Sequence, residues 1–579
     1  MYANVVVLTY QSPDIGSYTY KVPKHLTSKI QPGQLVSVPF GKREPMGIVV
    51  WTGSDPARVS AGSDPVIDIK PIGSIILETP MLLPYQIELL KWMSKYYHAP
   101  TVNCLEAMLP EIPKRLSDYQ VVRSSGKQEQ TLVLVPSINL LPQTLAQFPK
   151  AKNHLLYHNQ LKTSEKFESW LKIKSGQADF IFGSRSAIFT PCPNLKKIII
   201  FDEHDGAYKD ERSPYFDTLT VAEKICQLAG SELEIIDSSP KITTNFSHQK
   251  IIKSPSFAKA SEGKRSIKIV SMKEEKEAGN FSPLSQEAIS QIRKVISQKG
   301  KVLLFLNKKT ESGQIYCKNC KYQEFVRTQP HKCPNCGSAD IWFNSLNINS
   351  LAAITRRIVG SIPIRLFAED YRLQTTDYRL SSIDIATASI FYTPVLSKYN
   401  LVCYIQIDSL LNIPDFTTPE KVFNQIGDLW LLSKEKGILI IQTNNPESQL
   451  LANAVSGNYK SFFTHQIGER KVLSYPPYAL LVKLTIKGKD DQKIKSKAQD
   501  LVQKLKSLQS TIHNLPSIVV LGPYKPSFWH PIASYNIIFK VPIKNYSLKT
   551  REGAVKEISS LLDQVPRNWQ ITIEPDSLN

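Results

Sequence analysis

Ile198-Ile199-Ile200-Phe201-Asp202-Glu203-His204-Asp205 places an unbroken apolar run directly before a cluster of acids. Such a run, with no polar alternation, reads as a strand buried on both faces, the pattern of a parallel sheet with helices on either side. Carboxylates at the C-terminal end of such a strand stand where a metal-assisted nucleotide hydrolase presents them. The stretch therefore points to an α/β lobe and, taken alone, to nucleotide chemistry.

Neighbouring runs extend the same lobe. Leu132-Val133-Leu134-Val135-Pro136, Phe180-Ile181-Phe182-Gly183-Ser184-Arg185 and Ile235-Ile236-Asp237 all read as short buried strands ending in polar loops. Ser124-Ser125-Gly126-Lys127 ends like a phosphate-binding loop, yet Lys127 is followed by Gln128-Glu129-Gln130 and then a strand. A working loop needs a glycine-rich turn, a Ser or Thr after the lysine and a helix N-terminus. Nucleotide binding through Lys127 is not expected.

A second α/β series follows, with strands at Val302–Leu306, Pro363–Phe367, Ile383–Ala386, Leu401–Ile407 and Gly437–Ile441. Inside it lie Cys317-Lys318-Asn319-Cys320 and, after twelve residues, Cys333-Pro334-Asn335-Cys336-Gly337. Two such knuckles have the spacing of a zinc ribbon, in which Cys317, Cys320, Cys333 and Cys336 give four thiolates to one tetrahedral ion. Four thiolates leave no position open for water, so the zinc is expected to be structural. His331 reads as a turn residue, and Cys104, Cys192, Cys226 and Cys403 as core cysteines in a reducing compartment.

The 579 residues suffice for about three to five domains. The formal net charge of +20 is spread along the chain and favours a polyanionic partner, nucleic acid being the simplest. No apolar run approaches the length of a membrane span and the N-terminus lacks a signal-like pattern, so a cytoplasmic protein without membrane association is expected. Short strands broken at Pro32-Gly33 and Gly41-Lys42-Arg43 suggest a small β-barrel over residues 5–50. Its Tyr18, Tyr20 and Phe40 are either a stacking surface beside the basic turn or aromatic core. Pro84–His98 and Ile494–Leu508 have helical periodicity, and Trp529-His530-Pro531 offers either an aromatic beside positive charge or a hydrophobic plug.

Several of these motifs together resemble the primosomal protein N′ family, the bacterial replication-restart helicases. Tyr18-Thr19-Tyr20-Lys21-Val22-Pro23, Val36-Ser37-Val38-Pro39-Phe40-Gly41-Lys42-Arg43 and Gly47–Val50 resemble its N-terminal domain, which holds a DNA 3′ end; Thr19 stands where the family usually has an acid. The resemblance implies DNA contacts at Tyr18, Thr19, Tyr20, Lys42 and Arg43, and at Arg185 in a Gly-Ser-Arg-Ser-Ala strand end. No winged-helix domain fits between Pro110 and Leu132. Aligned on His204, the family's Asp-Glu-Glu-His becomes Phe201-Asp202-Glu203-His204, which puts phenylalanine at the Mg²⁺ carboxylate and Asp202 at the catalytic glutamate. Gln425–Leu432 is similar to the family's arginine-finger segment, with Leu429 and Leu432 in place of the arginines. The family's two inner cysteine pairs are absent, so one zinc is expected where the family binds two.

The expected architecture is α/β multidomain: an N-terminal β-barrel-like, 3′-end-binding domain (1–112), a degenerate RecA-like lobe (118–290), a second lobe (291–316 and 345–455) interrupted by the zinc ribbon (317–344), and a C-terminal α/β domain (456–579). The resemblance implies a helicase-derived DNA-binding protein without ATPase activity, acting at forks or in repair on forked or single-stranded DNA with a 3′ end, alongside replisome or primosome proteins. The alternatives are an active 3′–5′ helicase with an unusual nucleotide site and a structural adaptor that has lost DNA binding.

Overall fold

Alternation builds the N-terminal sheet. Tyr2–Val7 sends Ala3, Val5 and Val7 to one face, where they meet Tyr20, Val36, Val38 and Val49 in a closed apolar cluster. The strand order is Tyr18–Lys21, Tyr2–Val7, Met46–Gly53, Leu35–Ser37, Ser74–Ile75, antiparallel throughout. Lys21 donates from its backbone N to Lys70 O (3.0 Å) and accepts from Ile72 N (3.0 Å), so one sheet edge bonds to the segment entering the other and the sheet closes like a barrel. This computed structural model describes residues 1–9, 16–54, 69–113, 116, 128–248, 251–253, 266–307, 313–320, 322–326, 329–344, 346–367, 383–393, 398–511, 518–526 and 532–579. Lys127 and Trp529–Pro531 lie outside the described residues.

The helix Pro84–Tyr96, opened by a proline in its first turn, and the helix Thr101–Met108 carry the chain from the barrel to the first lobe. That lobe is a parallel sheet in the order Ile252–Lys253, Glu232–Ile236, Leu195–Phe201, Gln130–Leu134, Phe180–Gly183, His154–Tyr157. Its first strand in sequence, Gln130–Leu134, is central, and successive connections leave it in opposite directions. The crevice beside the C-terminal ends of Gln130–Leu134 and Leu195–Phe201 is thus the switch point at which such sheets hold ligands.

The second lobe is also parallel, in the order Ser266–Ser271, Ser433–Thr443, Tyr399–Tyr404, Val302–Phe305, Ile383–Ala386, Ile364–Phe367. This corrects two expected boundaries. Ser266–Ser271 pairs with Ser433–Thr443, and Gln286–Ser297 packs Ala288 and Ile292 on the same sheet, so the second lobe begins near residue 266 and not at 291. Helix Tyr459–Val472 buries Phe462 in the second lobe's core, against Phe423 at 4.5 Å, and so belongs there although 456 was expected to open the C-terminal domain. Local patterns locate strands but do not say which sheet receives them, because parallel partners lie far apart in sequence.

A three-stranded antiparallel sheet (Gln323–Val326, Gly313–Cys317, Ile341–Asn344) interrupts the second lobe between Val302–Phe305 and helix Ile348–Val359. The C-terminal sheet runs Val519–Tyr524, Ala533–Pro542, Ala479–Gly488, Gln570–Ile573, antiparallel, with helix Asp491–Thr511 on it. Leu90 and Met93 of the barrel's closing helix, Ile198 and Val221 of the first lobe, and Val555 and Ile573 of the C-terminal domain lie in one apolar cluster. Three sequence regions thereby share a core, while the second lobe has its own. Among the described residues no helix is long and apolar enough to cross a membrane.

Candidate metal centre and interlobe cleft

The four ribbon cysteines converge at the end of the small sheet. Their Sγ atoms all lie within 4.8 Å of one another, with Cys317 and Cys336 at 3.6 Å and Cys320 and Cys333 at 3.7 Å. Zn–S bonds near 2.3 Å in a tetrahedron put sulfurs about 3.8 Å apart. The four thiols are free of disulfides and fit zinc. Turn chemistry aims them: Gly337 adopts φ +72°, its N–H donates to Cys333 O (2.9 Å), and Cys333 N–H donates to Ser338 O (2.7 Å). Asn335 and Asn319 donate side-chain N–H groups to Cys320 Sγ (3.5 Å) and Cys336 Sγ (3.8 Å), outer contacts of the kind that hold metal thiolates in place. This chain therefore carries a structural four-cysteine zinc site, as the spacing predicts. Cys104, Cys192 and Cys403 are buried and Cys226 is half-buried.

The second centre lies where the lobes meet. Adjacent parallel strands Leu195–Phe201 and Glu232–Ile236 run in register, Phe201 beside Ile236, so the residues after them, Asp202 and Asp237, emerge side by side. Asp202 turns the chain at φ +49°, a left-handed conformation that aspartate tolerates better than most side chains. His204 Nδ1 lies 3.0 Å from Asp237 Oδ1 and 2.9 Å from Oδ2, and its Nε2 lies 4.0 Å from Asp428 Oδ2 on helix Thr418–Leu432 of the other lobe. Beside it Tyr392 donates its hydroxyl across the same seam to Asp205 Oδ2 (2.6 Å). Lys241 pairs with Glu203 (3.4 Å) and Asp217 (3.6 Å), and Ile242 N–H donates to Glu420 Oε2 (2.8 Å), also from the second lobe.

Burial sets the charges here. It pushes Asp202 up to about 7, with Asp237 adding to the effect, and pushes Glu203 up to about 7 against the pull of Lys241. Burial opposes the His204 imidazolium, but Asp237, Asp428 and Asp202 outweigh it and lift that group to about 10. Asp428 is raised to about 6 by burial, and Asp237 is held below its ordinary value because His204 overcomes its burial. His204 binds its proton more tightly folded than unfolded, so its contribution to stability is complete below pH 6.5 and is lost as pH rises towards about 10. Asp202 and Asp428 keep protons that the unfolded chain sheds, so their contribution also falls, between pH 3.8 and about 7. The expected result is a denaturation midpoint that declines from pH 6.5 to 10, with a shallower decline in His204→Gln; equal slopes would show that the pair is not coupled to folding.

The other expected positions separate. Phe201 packs on Phe148 (6.2 Å) in an apolar cluster that also includes Tyr392. Leu429 is fully buried in the second lobe's own core with Ile426 and Trp430, and Leu432 packs against that core from outside. At the end of Gln130–Leu134 stands Val135-Pro136-Ser137, whose serine caps a short 3₁₀ turn by accepting from Asn139 N–H (3.4 Å). Arg185, expected at DNA, instead donates to Ala207 O (2.8 Å) and Lys209 O (2.5 Å) and pairs with Asp210 (3.3 Å). Its guanidinium is spent on the loop after Asp202. Tyr20 is buried, its hydroxyl donating to Pro39 O (3.3 Å), so it is core and not a stacking surface. Tyr18 is half-buried edge-on to Phe40 (5.0 Å), Thr19 donates to Asn4 Oδ1 (3.3 Å), and Lys42 and Arg43 are exposed on their turn.

Sequence reasoning did not single out Asp237, Lys241, Tyr392, Asp428, Glu420 or Arg470. A signal existed for Asp237, which follows its strand as Asp202 does. A cavity of about 180 Å³ opens where both lobes and the C-terminal domain meet, bordered by Glu203, Lys241, Glu420, Arg470, Arg551 and Glu574.

Two parallel α/β lobes meeting across such a cleft, one carrying a four-cysteine ribbon, define a multidomain α/β protein with a metal-binding insertion. Residues 6–110 match the family model for the PriA 3′ DNA-binding domain (3′BD). Replication restart protein PriA of Bacillus subtilis is 27% identical over 433 residues, covering 68% of this chain and 54% of that protein. The same protein of Thermotoga maritima is 25% identical over 430 residues, covering 67% and 57%, and that of Rickettsia conorii is 23% identical over 599 residues, covering 87% and 89%. The chain is thus similar to replication restart protein PriA, the primosomal protein N′, over most of its length, and its residues 6–110 match that protein's 3′ DNA-binding domain. It spans just over half the length of the first two of these relatives.

Proposed function

We propose that this chain is a helicase-derived DNA-binding protein of the PriA type that engages forked or single-stranded DNA with a 3′ end in replication restart or repair, and that it has no ATP-driven motor. The match of residues 6–110 to a 3′ DNA-binding domain carries the first part. The exposed Lys42-Arg43 turn beside the Tyr18–Phe40 pair and the net charge of +20 support it. Support for the second part comes from the cleft. Phe201 packs on Phe148 and supplies no ligand for Mg²⁺. Leucines Leu429 and Leu432 replace groups that would balance phosphate charge, a contribution of about 3 kcal/mol for one such donor in an acyl-transfer site. Primosome or replisome proteins are the partners this reading implies.

One observation favours an active ATPase: Asp202 and Glu203 still stand at the C-terminal end of strand Leu195–Phe201. DNA-stimulated ATP hydrolysis decides between the two. The expected result is no turnover above background with forked DNA. A rate near about one per second, the low end of ordinary enzymes, abolished by Asp202→Asn or Glu203→Gln, would replace the motorless reading. Binding to a forked duplex with a free 3′ end is expected to weaken with salt, and Lys42→Ala/Arg43→Ala to lower the salt slope by about 1 for each phosphate that is no longer neutralised. Binding no tighter than to an unrelated polyanion would favour a structural adaptor.

A further inference from the structure

Resting on the DNA-binding reading, we infer that the outer face of the zinc-ribbon sheet is a second nucleic-acid contact, a platform on which Tyr316 and Trp342 stack the bases of a single strand. Alternation on Gly313–Cys317 fixes which side chains reach that face. Ile315 and Cys317 are fully buried, so Tyr316 between them points the opposite way. The antiparallel register sets Tyr316 directly opposite Trp342, and such a pair projects to the same face with Cβ atoms about 5 Å apart.

Trp342 is 48% exposed, unusual for the largest apolar side chain in so small a sheet, whose own core needs every apolar group it has. Its strand neighbours Ile341 and Phe343 turn to the other side and are less exposed. The indole is therefore withheld from the ribbon's interior while the thiolates are drawn into it.

Charge favours a nucleic acid as occupant. The segment 313–344 carries Lys318, Lys321, Arg327 and Lys332 against Glu324 and Asp340, and the chain as a whole is +20. Lys318 is tied to Asp340 at 3.1 Å, but both side chains are more than half exposed, so the pair is weak and yields readily to a phosphate. Lys332 and His331 are exposed beside the second knuckle. Aromatic faces flanked by exposed cations are the elements with which sequence-tolerant single-strand binders hold bases, since every base has a π face. The zinc's part is to hold the two strands in register, so that the rings are fixed before DNA arrives.

The test uses the full zinc-loaded chain and a labelled oligothymidylate. Trp342→Ala is expected to weaken binding about 10-fold, within the range of base–aromatic stacking, and Trp342→Phe to stay within about twofold because it keeps a π face. Both should retain one zinc. Quenching of tryptophan fluorescence by the oligonucleotide should be smaller in Trp342→Phe than in wild type, a readout independent of whether the alanine variant folds. Unchanged affinity in a zinc-loaded Trp342→Ala, or identical quenching, would overturn the platform and leave the DNA-binding reading standing. Failure of the wild-type chain to bind the oligonucleotide would overturn the platform, and failure to bind the forked duplex as well would overturn the DNA-binding reading.

Discussion

Removing zinc is expected to dissolve the ribbon and leave the rest of the chain folded. A chelator under reducing conditions, or Cys333→Ser, should lower the metal content from one ion per chain to none and open 313–344 to hydrogen exchange and proteolysis. The strands concerned are only four or five residues long, and the fully buried side chains described in this segment are Ile315, Cys317 and Cys333. A sheet of three strands this short is marginal in water on its own. The ion supplies the difference: structural zinc binds with roughly 10–16 kcal/mol in isolated zinc-finger peptides. Cys333 is the most informative single change, because it is buried, its N–H donates to Ser338 O and its carbonyl accepts from Gly337 N–H, so the whole second knuckle turns on it. Metal analysis returning two ions or none would contradict the four-thiolate geometry, and an unchanged exchange pattern after chelation would show that the sheet stands without metal.

The ribbon was legible because its determinants are local. Four cysteines and the Pro, Asn and Gly of two turns fall within about twenty residues, and the spacing alone specifies the ion. The same holds for the buried strands, whose apolar runs need no knowledge of their neighbours. What stayed hidden depends on distant partners. His204 reads from sequence as a remnant of a motif, whereas its role comes from Asp237 one strand over and Asp428 on the other lobe. Arg185 sits at a strand end where a DNA contact is expected, and only the fold shows that Ala207 and Lys209 have taken its donors. Tyr18 and Tyr20 look alike in sequence and face the same cluster, but Tyr20 is buried within it and Tyr18 is only half-buried at its edge. The Ser266–Ser271 strand fits either lobe until its parallel register with Ser433–Thr443 assigns it.

These distant contacts share a direction. His204–Asp428, Tyr392–Asp205 and Glu420–Ile242 all cross between lobes at the place where a nucleotide motor would open and close. Each is buried or half-buried, and a charge left there without its partner costs more than the pair contributes.

The contact with the largest expected effect lies behind that seam. Arg551→Ala is expected to destabilise the chain by about 3–5 kcal/mol, the cost of leaving buried charge unpaired. Arg551, on helix Leu548–Glu557, is almost wholly buried and pairs with both Glu223 of the first lobe and Glu574 of the C-terminal domain, the latter at 2.6 Å. It also donates to Thr220 Oγ1 (2.9 Å), while Tyr96 of the barrel's closing helix donates to Glu574 Oε2 (2.8 Å). One guanidinium thus joins three regions of the chain, and its removal leaves the Glu223 and Glu574 carboxylates without their shared cation. Arg551→Lys should recover little, because an ammonium cannot serve Glu223, Glu574 and Thr220 with a planar fork. Replacing all three charges, as Arg551→Met with Glu223→Gln and Glu574→Gln, should recover most of the loss, since the penalty belongs to the stranded charges more than to the missing attraction. Chemical denaturation of the three variants measures this directly. A loss below about 1 kcal/mol for Arg551→Ala, the value of an exposed pair, would mean that water reaches Glu223 and Glu574 and that the first lobe and C-terminal domain are not one rigid unit.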